Sequence, residues 1–295
     1  MKTKKKKNLE KQNIGYLLVA PSFLIYLLFI MIPVVWSVAM SFTDYNLVEA
    51  NFVGFKNYIN LFQDDLFVKG FMNTLRYSAM TIVPTMALGL GLAMLLNKKL
   101  KGKGLYRTWF YLPNIFSMVA ISMAWIYLYD TRAGILNMAL RKFGIGPVQW
   151  VSSPGMAMIS IAIMSIWIGV GYNMVLNLAG LQSIPEYLYE AASIDGAHGW
   201  QKFIYITIPM LAPTTFFIFV MACIRSFQVF GQVLIVTNGG PVNSTTTLAH
   251  QIYLNGFEYY KMGYASSQAV VLLVVILTIT LVNMRYGKGG ETDAN

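Results

Sequence analysis

Several long stretches of the chain contain no Asp, Glu, Lys or Arg. Five of these stretches lie between Lys11 and Asp44, Arg76 and Lys98, Arg107 and Asp130, Lys142 and Glu186, and Lys261 and Arg285. Each is long enough to cross the hydrocarbon layer of a membrane, which takes about 20 apolar residues in a helix. The charged fraction of the chain, 12%, is about half that of a typical soluble domain. The sequence therefore predicts an all-α protein that crosses the bilayer several times.

Six membrane spans are predicted from apolar runs of this kind. They extend over about Ile14–Met40, Tyr77–Leu96, Thr108–Tyr129, Met156–Ala179, Leu211–Val236 and Met262–Met284. An even number puts both termini on one side, and that side carries six Lys in residues 1–11 and five Lys or Arg in residues 98–107. Because cytoplasmic segments carry the excess of Lys and Arg, both termini are predicted to be cytoplasmic. The predicted organisation is a basic tail over 1–13, a six-span domain over 14–285 and a C-terminal tail over 286–295.

Much of the net charge of +10 is concentrated next to the predicted spans. A basic run can be a nucleic-acid-binding arm, but one that flanks a span is more typical of a cytoplasmic segment attracted to anionic lipid. Membrane lipid, and no nucleic acid, is therefore the predicted partner of these residues. The single cysteine, Cys223, lies in an apolar run, and one thiol excludes a disulfide framework.

Several kinds of catalytic and energy-coupling site are missing from the sequence. It contains no G-x-x-x-x-G-K-[ST] phosphate loop and no H-E-x-x-H metal motif, so the chain is predicted not to be an enzyme. Its two histidines, His198 and His250, are both predicted in loops, without metal ligands at suitable spacing. The predicted spans contain no Asp, Glu or His, which disfavours a proton-coupled carrier. Coupling to sodium through carbonyl and hydroxyl oxygens stays open.

The loop between spans four and five, residues 181–209, carries strong local signals. Ser183 and Glu186 have the S-x-x-E spacing of a capping box, which predicts a short helix over Ile184–Asp195. Gly196 then stands where a helix ends in a left-handed residue. After this turn, hydrophobic residues recur at helical spacing, and they are Trp200, Phe203, Ile204 and Ile208. Two short helices joined by a glycine turn are typical of a segment that docks into a groove on a partner.

The same loop contains a longer motif. It comprises Glu190-Ala191-Ala192, Gly196 and Ile206-Thr207-Ile208-Pro209. The motif resembles the signature of the integral-membrane permease subunits of ABC importers, of the carbohydrate-uptake branch, in which leucine usually stands at the position of Ile208. Further segments that resemble this family are Ala20-Pro21, Phe52-Val53-Gly54-Phe55-Lys56-Asn57-Tyr58, Asn73-Thr74, Thr237-Asn238-Gly239-Gly240-Pro241 and Met262-Gly263-Tyr264-Ala265-Ser266. The resemblance thus covers most of the chain.

This resemblance implies that residues 181–209 form a coupling loop, seated in a cleft of a cytoplasmic ATP-binding subunit. Its core would comprise Glu190, Ala191, Ala192, Asp195 and Gly196. Glu190 would fix the loop or face the partner, the two alanines would allow close approach, and Gly196 would make the turn. ATP and Mg²⁺ would be bound by the partner, with no cofactor in this chain. The implied partners are a second permease, ATP-binding cassette subunits, two in a complete importer, and an extracellular solute-binding protein.

Polar residues in the two spans that flank this loop are the predicted solute pathway. They are Gly169, Tyr172 and Asn173 in span four, and Arg225, Ser226 and Gln228 in span five. Asn177 lies one helical turn beyond Asn173 on the same face. Polar residues in spans usually face the bundle interior or a wet cavity, and hydroxyl, amide and aromatic groups suit a sugar. The alternative is that the Asn and Ser side chains bind neighbouring helices instead.

The leading hypothesis is a permease subunit of an ATP-driven ABC importer, which translocates a sugar or oligosaccharide delivered by the binding protein. Arg225 is the only charged residue within a predicted span. It suits an anionic sugar or glycerol phosphate, or it is satisfied by backbone carbonyls. An ion-coupled secondary carrier is the alternative from a different class of protein.

Overall fold

The computed structural model describes residues 16, 18–98 and 100–287. This part of the chain is helical, without β-strands, and has one isolated bridge between Thr43 and Phe52. The first helices are α1 Leu18–Met40, α2 Lys56–Gln63, α3 Asp65–Asn97, α4 Lys103–Tyr111, α5 Met118–Leu128, α6 Ile135–Lys142 and α7 Pro154–Ser183. The later helices are α8 Glu186–Ile194, α9 Gly199–Met210, α10 Ala212–Phe227, α11 Gly231–Val236, α12 Leu248–Tyr253 and α13 Met262–Gly287.

Four helices, α1, α3, α7 and α13, are long and apolar enough to cross a membrane singly. Two bent pairs, α4 with α5 and α9 with α10, meet the same test when each pair is taken as one span. The described residues therefore provide up to six crossings, and the all-α, multi-pass fold predicted from the sequence is confirmed. The predicted start of the first span at Ile14, the tail over 1–13 and nearly all of the tail over 286–295 lie outside the described residues.

The third span is not the continuous helix that was predicted over Thr108–Tyr129. Instead, α4 continues into a 3₁₀ turn over Leu112–Asn114, and α5 leaves this segment at an angle of 92°. Pro113 lies in the 3₁₀ turn, and Ser117, which precedes α5, has an extended ψ of 134°. Because proline has no backbone N–H and its ring clashes with the preceding turn, a straight α-helix cannot continue through this position without distortion.

The fifth span also departs from the prediction, which placed it over Leu211–Val236. In the structure α10 ends at Phe227, and α11 is a separate short helix. Upstream, α9 meets α10 at an angle of 66°. The bend centres on Leu211, and Pro209 and Pro213 lie on either side of it. The second half of the predicted coupling loop is therefore helical and leads directly into α10.

The larger compact unit comprises Phe62–Gln251 and Leu272–Asn295, and α3 packs along α7 within it. The two helices approach closely at Gly89, where a Cβ atom would lie 2.5 Å from the Cβ of Asn173. One buried cluster joins the ends of these helices to the bend before α10, and its members are Ala93, Leu96, Met174, Leu178, Leu181, Ile184 and Leu211. This cluster fixes the base of α10 against α3 and α7.

The start of α3 lies in the segment between the first and second predicted spans. The second span was predicted from Tyr77, whereas α3 begins at Asp65. The carboxylate of Asp64 accepts a hydrogen bond from the backbone N–H of Leu66 at 2.9 Å, as an N-cap residue does. Lys69 consequently lies on the helix, where its ammonium donates to the carbonyl of Val242 at 2.7 Å. The predicted loop is correspondingly shorter.

The smaller unit joins the chain up to Leu61 with Ile252–Val271. The buried amide of Asn57 donates to the carbonyl oxygens of Ser41 at 2.9 Å and Thr43 at 2.7 Å. The backbone N–H of Gly263 donates to the carbonyl of Tyr45 at 2.9 Å. A Cβ atom on Gly263 would overlap the carbonyl of Thr43, so this contact between segments requires glycine.

A buried asparagine organises the loop between α5 and α7. Asn137, on α6, has no exposed surface. Its amide nitrogen donates to the carbonyls of Val148 at 2.9 Å and Thr131 at 3.1 Å. Its side-chain oxygen accepts from the backbone N–H of Val148 at 3.0 Å and from the indole N–H of Trp150 at 3.1 Å. One side chain thus holds both ends of the loop.

We expect Asn137→Ala to destabilise the protein by about 1–3 kcal/mol, because buried polar groups left without a partner carry a cost of that order. The measurement is thermal unfolding of the purified protein in detergent. Gln149→Ala is the matched control, since Gln149 lies in the same loop and its side chain is exposed. Equal unfolding temperatures for the two variants would contradict the structural role of Asn137.

Candidate functional site

The larger unit contains a cavity of about 480 Å³ between α3, α5, α7, α10 and α11. This volume lies within the range of about 300–1,000 Å³ that is usual for small-molecule sites. The six residues that were predicted as a solute pathway all line the cavity, and they are Gly169, Tyr172, Asn173, Arg225, Ser226 and Gln228. The structure thus brings the polar residues of the fourth and fifth spans to one surface.

The charged residue of the cavity is held by an aromatic ring. The guanidinium carbon of Arg225 lies 4.0 Å from the ring centroid of Tyr172. A cation over an aromatic face is attracted by the quadrupole of the ring, by about 0.5–2 kcal/mol depending on solvation. Arg225 also lies in the last turn of α10, where the carbonyl end of a helix favours a cation. Both interactions leave the N–H groups of the guanidinium available.

The asparagines of α7 divide between the cavity and the helix itself. Asn173 donates to the carbonyl of Gly169 at 3.0 Å, and Asn177 donates to the carbonyl of Asn173 at 2.8 Å. Asn177 is buried away from the cavity. Asn173 does line it, and its buried side-chain oxygen has no hydrogen-bond partner among the described residues. Of the two, Asn173 alone lines the cavity, and its side-chain oxygen is buried.

The predicted second, third and fifth spans contribute further lining residues that were not predicted from the sequence. They include Tyr77, Thr81 and Thr85 on α3, Asn114 at the break before α5, and Gln232 on α11. The spacing of four residues between Tyr77, Thr81 and Thr85 places them on one helix face, and this polar row is a signal that the sequence does contain. Asn114 carried no such signal, because its position depends on the break in the third span.

The predicted coupling loop forms a helix, a sharp turn and a second helix. Gly196 has a left-handed φ of 78°. The backbone N–H of Ala197 donates to the carbonyl of Ala192 at 2.8 Å, and that of Gly196 to the carbonyl of Ser193 at 3.2 Å. These two bonds are the Schellman pattern that ends a helix at a left-handed residue. The predicted turn at Gly196 is therefore present.

Two side-chain contacts hold the first helix of the loop to the second. The hydroxyls of Tyr189 and Thr207 are 2.9 Å apart. The ammonium of Lys202 donates to the hydroxyl of Ser193 at 2.6 Å. The helices α8 and α9 consequently form one connected element, and α9 continues through the bend into α10 at the cavity.

The surface of this element is apolar as well as exposed. Tyr187, Ile194 and Trp200 are 65%, 87% and 70% exposed. Of the residues assigned to the core of the coupling loop, Glu190, Ala191, Asp195 and Gly196 are exposed and Ala192 is half-buried. Large apolar side chains at the surface of a short helical element are typical of a docking site for a partner.

The capping box predicted for this loop is not formed. The hydroxyl of Ser183 donates to the carbonyl of Gly180 at 2.7 Å, because α7 extends through Ser183. The residue that precedes α8 is Pro185, whose extended backbone starts the helix without a side-chain cap. The predicted helix over Ile184–Asp195 is therefore shorter at both ends.

The prediction of a loop at His250 is also wrong. His250 lies on α12 and is 1% exposed. Its Nδ1 is 3.1 Å from the hydroxyl of Thr246, and its Nε2 is 3.3 Å from the side-chain oxygen of Asn238. Gly239 has a φ of 79°, and a Cβ atom there would lie 2.7 Å from the imidazole. The glycine-rich segment thus packs directly on the ring.

Comparison with known proteins identifies the family. Residues 85–286 match the family described as binding-protein-dependent transport system inner membrane component. The probable ABC transporter permease protein YurN of Bacillus subtilis is 35% identical over 290 residues, which cover 96% of this chain and 99% of YurN. The sn-glycerol-3-phosphate transport system permease protein UgpA of Agrobacterium fabrum is 34% identical, over 92% of this chain and 93% of UgpA.

A solved structure has the same fold. A chain of a bacterial ABC transporter involved in the import of the acidic polysaccharide alginate aligns with a TM-score of 0.86 at 23% identity, and the alignment covers 98% of this chain and 100% of that one. At this identity the likeness supports the fold alone. Together with the family match over most of the chain, these relatives show that the protein belongs to the binding-protein-dependent ABC transport permeases, as a multi-pass subunit of the cell membrane that serves transport rather than catalysis.

Proposed function

We propose that the chain forms one half of the membrane pathway of an ATP-driven importer for a sugar or oligosaccharide. One observation carries the proposal: the exposed element α8–α9 continues through a single bend into α10, which lines the cavity. A displacement of the docking element would therefore reach the cavity through a short stretch of chain that is helical on both sides of the bend. Hydroxyl, amide and aromatic groups line the cavity, and these are the groups that bind sugars through hydrogen bonds and ring stacking.

The element α8–α9 is the proposed contact with a cytoplasmic ATP-binding subunit. The residues assigned to that contact are Glu190, Ala191, Ala192, Asp195 and Gly196. The alanines have no bulk that would keep a partner away from the helix, and Glu190 and Asp195 offer charges at its exposed surface. ATP and Mg²⁺ belong to the partner in this proposal, and the chain itself holds no cofactor.

The proposed assembly contains a second, different permease, two ATP-binding cassette subunits and an extracellular solute-binding protein. A solved alginate importer is described in complex with a pentasaccharide-bound periplasmic protein, which supports the last of these partners by analogy. Both termini are proposed to be cytoplasmic, since the Lys-rich residues 1–11 and 98–107 then meet the anionic leaflet. Lipid is the proposed partner of these residues, and nucleic acid is not.

The test is purification of the chain from its native membranes in mild detergent, followed by reconstitution in liposomes. We expect a nucleotide-binding ATPase and a second multi-pass protein to co-purify, and uptake to require ATP inside the cytoplasmic compartment. If the chain purifies alone and an ion gradient drives solute transport without ATP, the importer proposal fails and an ion-coupled carrier takes its place.

A further inference from the structure

The cavity contains a positive charge that no acidic residue of the cavity balances. Arg225 is the one charged residue among the lining residues of the described chain, which include no Asp or Glu. A charge within a membrane-spanning bundle is costly unless it is paired or reaches water. An unbalanced cation in a wet cavity therefore raises the local concentration of anions and disfavours cations.

The guanidinium is held in place without using its donors. In the described part of the chain, Arg225 forms no hydrogen bond or ion pair, and its contact is the stack on Tyr172 at 4.0 Å. Stacking restricts the plane of the guanidinium but leaves its five N–H groups free at the edge. A planar fork of N–H donors matches a carboxylate or a phosphate through paired, charge-assisted hydrogen bonds.

The neighbouring groups suit the uncharged part of a saccharide. Thr85, Asn173 and Gln228 contribute hydroxyl and amide groups to the lining of the same cavity. These groups can form hydrogen bonds with the hydroxyls of a sugar ring. A neutral sugar, however, has no anionic group to pair with the charge of Arg225.

We propose that the transported solute is an acidic saccharide or sugar-like phosphate whose negative group binds Arg225, with Tyr172 orienting the guanidinium. This inference rests on the proposed importer function and specifies its substrate class. Carboxylate and phosphate share the chemistry that Arg225 recognises, and the experiment separates them.

The test uses the intact importer purified from native membranes. Solute released from the co-purified binding protein is identified by mass spectrometry, and an acidic solute is expected. Binding of that radiolabelled solute is then measured on the importer after removal of the binding protein, so that the specificity of the binding protein does not contribute. Competition by D-glucuronate against D-glucose, and by sn-glycerol 3-phosphate against glycerol, distinguishes a carboxylate site from a phosphate site.

Three variants define the role of Arg225. Arg225→Gln is expected to weaken binding by about tenfold or more, because a hydrogen bond to a charged group contributes about that factor, and to remove the preference for the anionic competitor. Arg225→Lys keeps the charge but loses the planar fork of N–H donors. Its affinity for the solute is expected to lie between those of the wild type and Arg225→Gln. Arg132→Gln is the matched control, since it removes an equal charge from an exposed loop outside the cavity.

A neutral released solute, the absence of saturable binding by the wild-type importer, or unchanged binding by Arg225→Gln would each overturn the inference. So would a carboxylate of the second permease paired with Arg225 in a structure of the complete importer. These results leave ATP-dependent uptake intact, and they are therefore distinct from failure of the importer proposal, in which uptake does not require ATP or no ATPase co-purifies.

Discussion

Replacement of Gly196 by valine is expected to abolish ATP-dependent uptake while membrane insertion and purification yield stay normal. Nothing lies within 4 Å of the position that a Cβ atom would take at Gly196, so the effect arises from the backbone alone. The φ of 78° is a left-handed conformation that costs a β-branched residue on the order of 1–3 kcal/mol. The turn would relax to another conformation and move the exposed faces of α8 and α9 relative to each other.

The measurement is uptake and ATP hydrolysis by the reconstituted importer. Gly199→Val is the matched control, because Gly199 lies in the same loop, is equally open and has no left-handed φ. Gly196→Asn tests whether the left-handed backbone is the cause, since asparagine tolerates that region. This variant is expected to retain much of the uptake. Normal uptake by Gly196→Val would refute the coupling role of this turn.

Gly171→Ala is expected to have the largest effect on folding. Gly171 of α7 faces the backbone of α4, and a Cβ atom there would overlap the carbonyl of Phe110 and lie 2.8 Å from the Cα of Tyr111. Backbone atoms cannot rotate away as a side chain can, so α4 would have to separate from α7. We expect destabilisation at the upper end of the roughly 1–3 kcal/mol that overpacking costs, with loss of monodisperse protein.

This expectation is checked by fluorescence-detected size-exclusion chromatography after heating. Gly155→Ala is the control on the same helix, because a Cβ atom at Gly155 meets nothing within 4 Å and alanine favours the helix. A Gly171→Ala protein as heat-resistant as this control would show that α4 is not packed on α7 in the manner described.

The long helices could be predicted from the sequence, while the broken ones could not. The absence of charge over more than 20 residues identified α1, α7 and α13, because a charge in the bilayer core is costly whatever the surrounding fold. The bends at Leu112–Asn114 and Leu211 do not change the apolar composition of their segments. Prolines lie at these places, but membrane helices also accommodate proline with other partners, so its effect depends on packing.

The site was predictable to the extent that its residues are unusual in a membrane span. Arg225, Asn173 and Gln228 are polar groups in apolar runs and were assigned to the cavity. Thr81 and Thr85 were not, because threonine hydroxyls bond within a helix and are common in spans; the hydroxyl of Thr81 indeed donates to the carbonyl of Tyr77 at 2.8 Å. Their role at the cavity follows from the packing of α3 on α7.

The bend at Leu211 changes the direction of any movement that reaches it. Leu211 is 1% exposed and packs in the cluster shared by the ends of α3 and α7, so it is the natural fixed point for a rotation of α10. Arg225 lies fourteen residues beyond Leu211, which is roughly 21 Å of helix at 1.5 Å per residue. A rotation of about 10° around Leu211 would then displace Arg225 by roughly 4 Å. In the proposed importer, a small tilt imposed from α8–α9 would therefore be enough to part Arg225 from Tyr172.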